Sequence, residues 1–165
     1  MKRRDPRQRQ RRHIDRAMQN VIEDPYLARG KSPGPALCPD CGAVFRRGRW
    51  QWGEASERAK EHLCAACRRV RERLPAGYVR LSGPFFVRNH DEVLRLVRNE
   101  EAREKRNHPL QRIMAIREVR GAVEVTTTDV HVARRIGDAL RSAFQGSLEL
   151  RYSPDEYLVR VNWSR

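Results

Sequence analysis

Two short pairs, Cys38-Pro39-Asp40-Cys41 and Cys64-Ala65-Ala66-Cys67, account for all four cysteines of the chain. Thiolate sulfur is a soft donor, and a Cys-x-x-Cys turn lets two sulfurs reach one ion. Two such pairs therefore supply the ligands of a tetrahedral zinc site, Cys38, Cys41, Cys64 and Cys67. Residues 42–63 leave room for a hairpin or short helix that folds one pair onto the other. Gly42, directly after the first pair, provides the permissive backbone that a turn wrapped around a thiolate requires. Four sulfurs close the coordination shell, whereas a catalytic zinc keeps one position for water, so the expected role of the metal is structural. His62 stands two residues before Cys64 and could replace a sulfur; a solvated histidine is the plainer expectation.

Other chemistries use the same residue type. Disulfides suit secreted chains, but this one opens on an Arg- and Gln-rich stretch rather than an apolar signal segment, which points to reduced thiols in the cytoplasm. A thioredoxin-like site expects a single pair after a strand of a βαβ unit, and two pairs flanking a polar segment fit that poorly. An iron–sulfur cluster stays open as the alternative ligand set for four cysteines.

The elements that must position the cysteines follow from local patterning. Ala43-Val44-Phe45 and Arg49-Trp50-Gln51-Trp52 read as two strands joined by Arg46-Arg47-Gly48, a hairpin with a basic tip. A helical stretch is expected from Glu54, and another from the second cysteine pair. In the latter, Val70 and Leu74 lie four apart as an apolar face, with Arg68, Arg69, Arg71 and Arg73 outward. The zinc-binding module is thus predicted over residues 37–75. Its tip arginines Arg46, Arg47 and Arg49, its helix arginines, and Trp50 and Trp52 are candidate RNA contacts, because guanidinium groups pair with phosphates and indoles stack on bases. Small zinc modules also use aromatic rings as core, and packing is the competing role for Phe45, Trp50 and Trp52.

The remaining chain divides in three. Residues 1–36 form a basic tail in which Lys2, Arg3, Arg4, Arg7, Arg9, Arg11 and Arg12 repel one another and bury nothing, so disorder alone and binding to a polyanion are expected. Ile14, Met18, Val21 and Ile22 recur at helical spacing, and Gly30 to Pro35 reads as a linker. Residues 76–110 read as a connector. Its helix follows Asn89 or Asp91 and carries Val93, Leu94, Leu96 and Val97, then becomes an exposed charged stretch with Glu101 paired to Lys105 before Pro109. Residues 111–165 read as a ββαββ domain, with strands over 113–119 and 122–127, a helix capped by Thr128 or Asp129, and two further alternating strands. The fold class expected is α+β, a small zinc module followed by an antiparallel sheet of four strands carrying one helix.

Charge narrows the partners. The chain of 165 residues carries a formal net charge of +14, which attracts polyanions and makes nucleic acid the default ligand. No apolar run approaches the roughly 20 residues a membrane span needs, and no small-molecule site stands out. An enzyme is not expected: there is no phosphate-binding glycine loop, serine elbow or carboxylate cluster. His131 follows Asp129, but the aspartate reads as a helix cap and the histidine lies off the apolar face. His131, Arg134 and Arg135 are instead candidates for contact with a partner.

Cys38-Pro39-Asp40-Cys41-Gly42-Ala43-Val44, Gly48-Arg49-Trp50-Gln51-Trp52, the second cysteine pair, and the run from Val125 through Thr126-Thr127-Thr128-Asp129-Val130-His131 to Gly137 together resemble bacterial relatives of the Nmd-three (nonsense-mediated decay protein three) family. The resemblance spans residues 38–163. Members of that family are zinc-bearing factors of the large ribosomal subunit. The archaeal and eukaryotic forms are longer, with further Cys-x-x-Cys pairs, and the export role of the eukaryotic form has no counterpart in a bacterium. What the resemblance implies is a cytoplasmic, ribosome- and rRNA-binding zinc protein, a factor in dormancy (hibernation), assembly or quality control of the large subunit or whole ribosome. The alternative reading is a DNA-binding or protein-adaptor zinc module in transcription regulation.

Overall fold

A computed structural model describes residues 22–27 and 34–165. Arg3, Arg4, Arg7, Arg9, Arg11 and Arg12, the helix expected over 14–22 except its last residue, and most of the linker lie outside the described residues. The α+β class holds: the described residues form two mixed sheets and four helices. None of these helices is long and apolar enough to cross a membrane.

The first sheet has the order β3-β2-β1-β4, built from β1 (Ala36–Leu37), β2 (Val44–Arg46), β3 (Arg49–Gln51) and β4 (Lys60–Glu61). The expected hairpin is β2–β3. Its two-residue tip places Arg47 at φ 53° and Gly48 at φ 80°, the pair of positive φ values that matches a tight turn to the twist of the strands. The helix expected from Glu54 does not form. Lys60 and His62 donate their backbone N–H groups to the Pro35 and Leu37 carbonyls, so this segment becomes β4, parallel to β1. Helix α1 (Ala65–Glu72) then carries the second cysteine pair. Its facing differs from the expectation: Ala65, Ala66, Cys67 and Arg69 are buried, while Val70 and Leu74 face outward. Small residues let α1 sit close to the cysteines, which leaves the larger apolar side chains outside.

The second sheet has the order β6-β7-β5-β9-β8, from β5 (Gly77–Ser82), β6 (Ile113–Val119), β7 (Ala122–Thr127), β8 (Ser147–Tyr152) and β9 (Val159–Ser164). The four-stranded antiparallel sheet expected of residues 111–165 alone is not what forms. Strand β5 lies at the centre, antiparallel to β7 and parallel to β9. Val79 and Leu81 of β5 are fully buried, and so are Val159, Val161 and Trp163 of β9 beside them. One continuous apolar face results, and α4 (Val130–Phe144) covers it with Val132, Ala133, Ile136 and Leu140. Gly137 permits the close approach: a Cβ there would lie 2.7 Å from Val161 Cγ1.

Helices α2 (Pro84–Arg88) and α3 (His90–Asn107) complete this body. Phe86, Val93, Leu94 and Val97 enter the same core, so residues 76–107 are structural rather than a connector. The charged end of α3 is also engaged. Glu104 is buried and paired with Arg135 of α4 at 3.1 Å, and Glu101 accepts the Ile113 backbone N–H at 2.9 Å instead of pairing with Lys105.

Candidate metal centre

The two cysteine pairs come together where β1, the β1–β2 turn and the start of α1 meet. In the first turn Cys38 N–H donates to the Ala43 carbonyl and Gly42 N–H to the Cys38 carbonyl, with Gly42 at φ 74°, where a side chain would be strained. In the second, Cys64 is the N-cap of α1 and its sulfur accepts the Cys67 N–H at 3.4 Å. Cys64 N–H in turn donates to Cys38 Sγ at 3.4 Å, stitching the turns together. The helix N-terminus adds its partial positive charge to the sulfurs.

All four ligand sulfurs lie within 4.8 Å of one another, and Cys38, Cys64 and Cys67 are buried. Cys41 Sγ and Cys64 Sγ are 3.8 Å apart, far outside a disulfide bond, which spans about 2.0 Å. The donor set fits a metal such as zinc: an ion about 2.3 Å from each of four tetrahedral sulfurs sets them roughly 3.8 Å apart.

The sulfurs differ in how readily they ionise. The hydrogen bond from Cys64 draws the Cys41 thiol down to about 5, against the effect of burial and helped by the Ala43 N–H, Cys38 and Arg112. Cys64 is pushed up, first by its hydrogen bond to Cys41 and then by burial. Burial also raises Cys67, with Arg112 opposing. Cys41 is thus the readiest to ionise while Cys64 and Cys67 hold their protons, and positive charge beside the sulfurs is what would let these ionise too.

Part of that charge comes from a residue that sequence reasoning did not single out. Arg112 Nη2 lies 3.2 Å from Cys67 Sγ and 3.7 Å from Cys64 Sγ. Burial lowers its pKa, but the hydrogen bond to Cys67 and the nearby sulfurs outweigh that and hold it up. Its position is set from the other body. Thr128 N–H donates to the Arg112 carbonyl at 2.9 Å, and Arg112 N–H donates to Thr128 Oγ1 at 2.9 Å. The Thr128 hydroxyl also donates to the Leu110 carbonyl at 2.6 Å, and Leu110 packs on the cysteine cluster. Thr128 therefore works as a clamp that presents Arg112 to the sulfurs. Asp129 caps α4 by accepting the His131 N–H at 2.7 Å and also accepts the Tyr157 hydroxyl at 3.1 Å.

The remaining candidates separate by environment. Arg46, Arg47 and Arg49 are exposed at the hairpin tip. Trp50 packs against the cysteine cluster, edge-on to Phe45 at 5.4 Å and stacked on His62 at 6.2 Å. Trp52 remains 37% exposed, yet its indole N–H is committed to the Lys105 carbonyl at 2.7 Å, a second link between the bodies. Arg69 is not on the surface. Only 4% exposed, it pairs with Asp24 at 2.5 Å, donates to the Leu74 carbonyl and lies over the Tyr26 ring at 4.3 Å, so it holds the segment 22–27 rather than RNA. Arg71 forms a two-pronged pair with Asp40 of the first cysteine turn, at 2.5 and 2.8 Å. Arg73 is exposed and ends α1 in a left-handed conformation; Arg68 is half-buried. His131 is exposed, Arg134 reaches toward Asp138 at 3.7 Å, and Arg135 is engaged by Glu104.

Compared with known protein families, curated proteins and solved structures, the chain matches none.

Proposed function

We propose that the protein is a non-enzymatic zinc protein of the cytoplasm that binds ribosomal RNA on the large subunit or the whole ribosome. The observation that carries this reading is the exposed arginine tip, Arg46, Arg47 and Arg49, on a sheet whose other edge leads into the four-cysteine cluster. A closed sulfur shell leaves no position for substrate, so the ion's work is to hold the basic tip and α1 in place. Zinc suits the site better than a cluster of several irons, which would stand between its cysteines and spread them wider than a single ion does. The net charge of +14 and the resemblance to the Nmd-three family favour RNA of the ribosome as the polyanion. Dormancy, assembly and quality control are the settings in which such a factor would act.

Sedimentation of lysate from cells expressing the tagged protein tests this, in moderate and high salt, with growing and starved cultures compared. Co-migration with large subunits or ribosomes, lost in high salt, is the expected result; enrichment only after starvation would assign the protein to dormancy. A protein that stays at the top of the gradient in both salts would contradict the reading. If about six phosphates are contacted, affinity should fall roughly a thousandfold between 50 and 200 mM salt.

A further inference from the structure

We propose that the face of the second sheet turned away from α4 is a second nucleic-acid surface, one that takes unpaired RNA bases on Tyr78. This extends the RNA-binding reading above and rests on it. From Asp129 to the last residue given, six arginines stand against five carboxylates, so charge alone does not place RNA there; the sheet order brings the arginines of several strands onto one face. Because β5 is central, its outward residues Tyr78 and Arg80 stand in the middle of the face opposite α4, with the segment 22–27 bordering the cavity at the Tyr78 end. Register then places Arg160 beside Tyr78 and Arg151 beside Arg160 in one row. In the next row Arg80 is flanked by Glu124 and Asn162, with Arg117 beyond Glu124.

The chemistry of this face is specific. Four arginines stand there against two glutamates, Glu124 and Glu149, of which Glu149 is already paired with Arg151 at 2.7 Å; Glu23, Asp155 and Glu156 line the cavity at the Tyr78 end of the face, together with Arg69 and Arg73. Arg80 and Arg160 have no ion pair among the described residues. The Arg160 guanidinium lies over the Tyr78 ring, 4.7 Å from its centroid, a cation–π contact that holds the two together. Bases splayed from a single strand stack on aromatic rings and on guanidinium planes, and neighbouring arginines meet the phosphates. Apart from Tyr78, these two rows carry no large apolar side chain, and the apolar neighbours of Tyr78, among them Leu74 and Leu158, lie only at the end of the sheet. The same face of a second copy has the wrong sign to lie there.

The test uses the full, metal-loaded chain with two fluorescent octamers: a mixed-sequence single-stranded RNA, and one with the same backbone but no bases. Wild type should bind the ordinary octamer about tenfold or more tightly than the baseless one, the range that stacking of one base supplies. Tyr78→Ala should erase that difference while leaving the affinity for the baseless octamer and the melting temperature unchanged; Arg160→Gln should weaken both octamers. If Tyr78→Ala binds the ordinary octamer like wild type, or if Trp52→Ala is the variant that erases the difference, the sheet proposal is overturned while RNA binding by the metal module stands. Failure of wild type to bind either octamer at low salt would overturn the RNA-binding reading itself.

Discussion

Arg112 shows what single residues contribute here. Its guanidinium neutralises part of the surplus charge that four thiolates leave on a divalent ion, and the Thr128 clamp holds it there. Removing such an outer-shell partner typically costs 10–100-fold in metal affinity. Arg112→Gln should therefore lose about tenfold or more against a colorimetric chelator, with the second core still folded; unchanged affinity would mean the contact is incidental. Protons compete for the same sulfurs. The metal-bound cluster carries fewer protons than the metal-free one, so metal binding strengthens as pH rises and is lost as pH falls. Zinc release followed by a chromophoric dye should increase steadily on acidification. Asp24→Ala leaves Arg69 charged, buried and unpaired, which should cost about 3 kcal/mol or more in urea unfolding. At this scale the four cysteines were legible because their spacing is local. Arg112 was not, since 45 residues separate it from Cys67 and only the folded threonine clamp joins them. Arg69 was misread because an arginine in an arginine-rich run carries no sequence mark of a buried aspartate partner.

At the scale of elements, locally encoded pieces were readable. The β2–β3 hairpin has its Arg47-Gly48 tip, β6 and β7 meet at Arg120-Gly121, and α4 has its Asp129 cap with an apolar stripe through Ile136 and Leu140. Strand β5 escaped because its alternation is short, with Arg80 between Val79 and Leu81, and both its partners are remote. Strands β1 and β4 have two residues each, too few for any periodicity to register. The end of α3 looked solvated because the partners of Glu101 and Glu104 lie on β6 and α4. Packing of α4 on β9 depends on Gly137, and Gly137→Ala forces a methyl toward Val161. The expected cost is about 1–3 kcal/mol in denaturant unfolding; a neutral or stabilised variant would show that the helix shifts without penalty.

Over the whole molecule, two cores of unequal strength are joined at defined points. The larger, from Ala76 to Trp163, is apolar and owes nothing to a metal. The smaller consists largely of the cysteines with Ala43 and Ala66, and without an ion it has little to hold it together. Chelation or Cys64→Ser should release amide protection across residues 37–75 while the second sheet keeps its own. Hydrogen exchange read by mass spectrometry separates these outcomes, and simultaneous loss of both cores would contradict the division. The links through Arg112 and through Trp52 to Lys105 predict that the edge near residues 105–112 loosens with the metal module. The claim on which everything else rests is that one ion in a closed four-sulfur shell organises this module. Native mass spectrometry of the purified chain tests it most directly: one zinc per chain, absent from Cys64→Ser, is the predicted result, and a metal-free chain with a folded first sheet, or the mass of an iron–sulfur cluster, would contradict it.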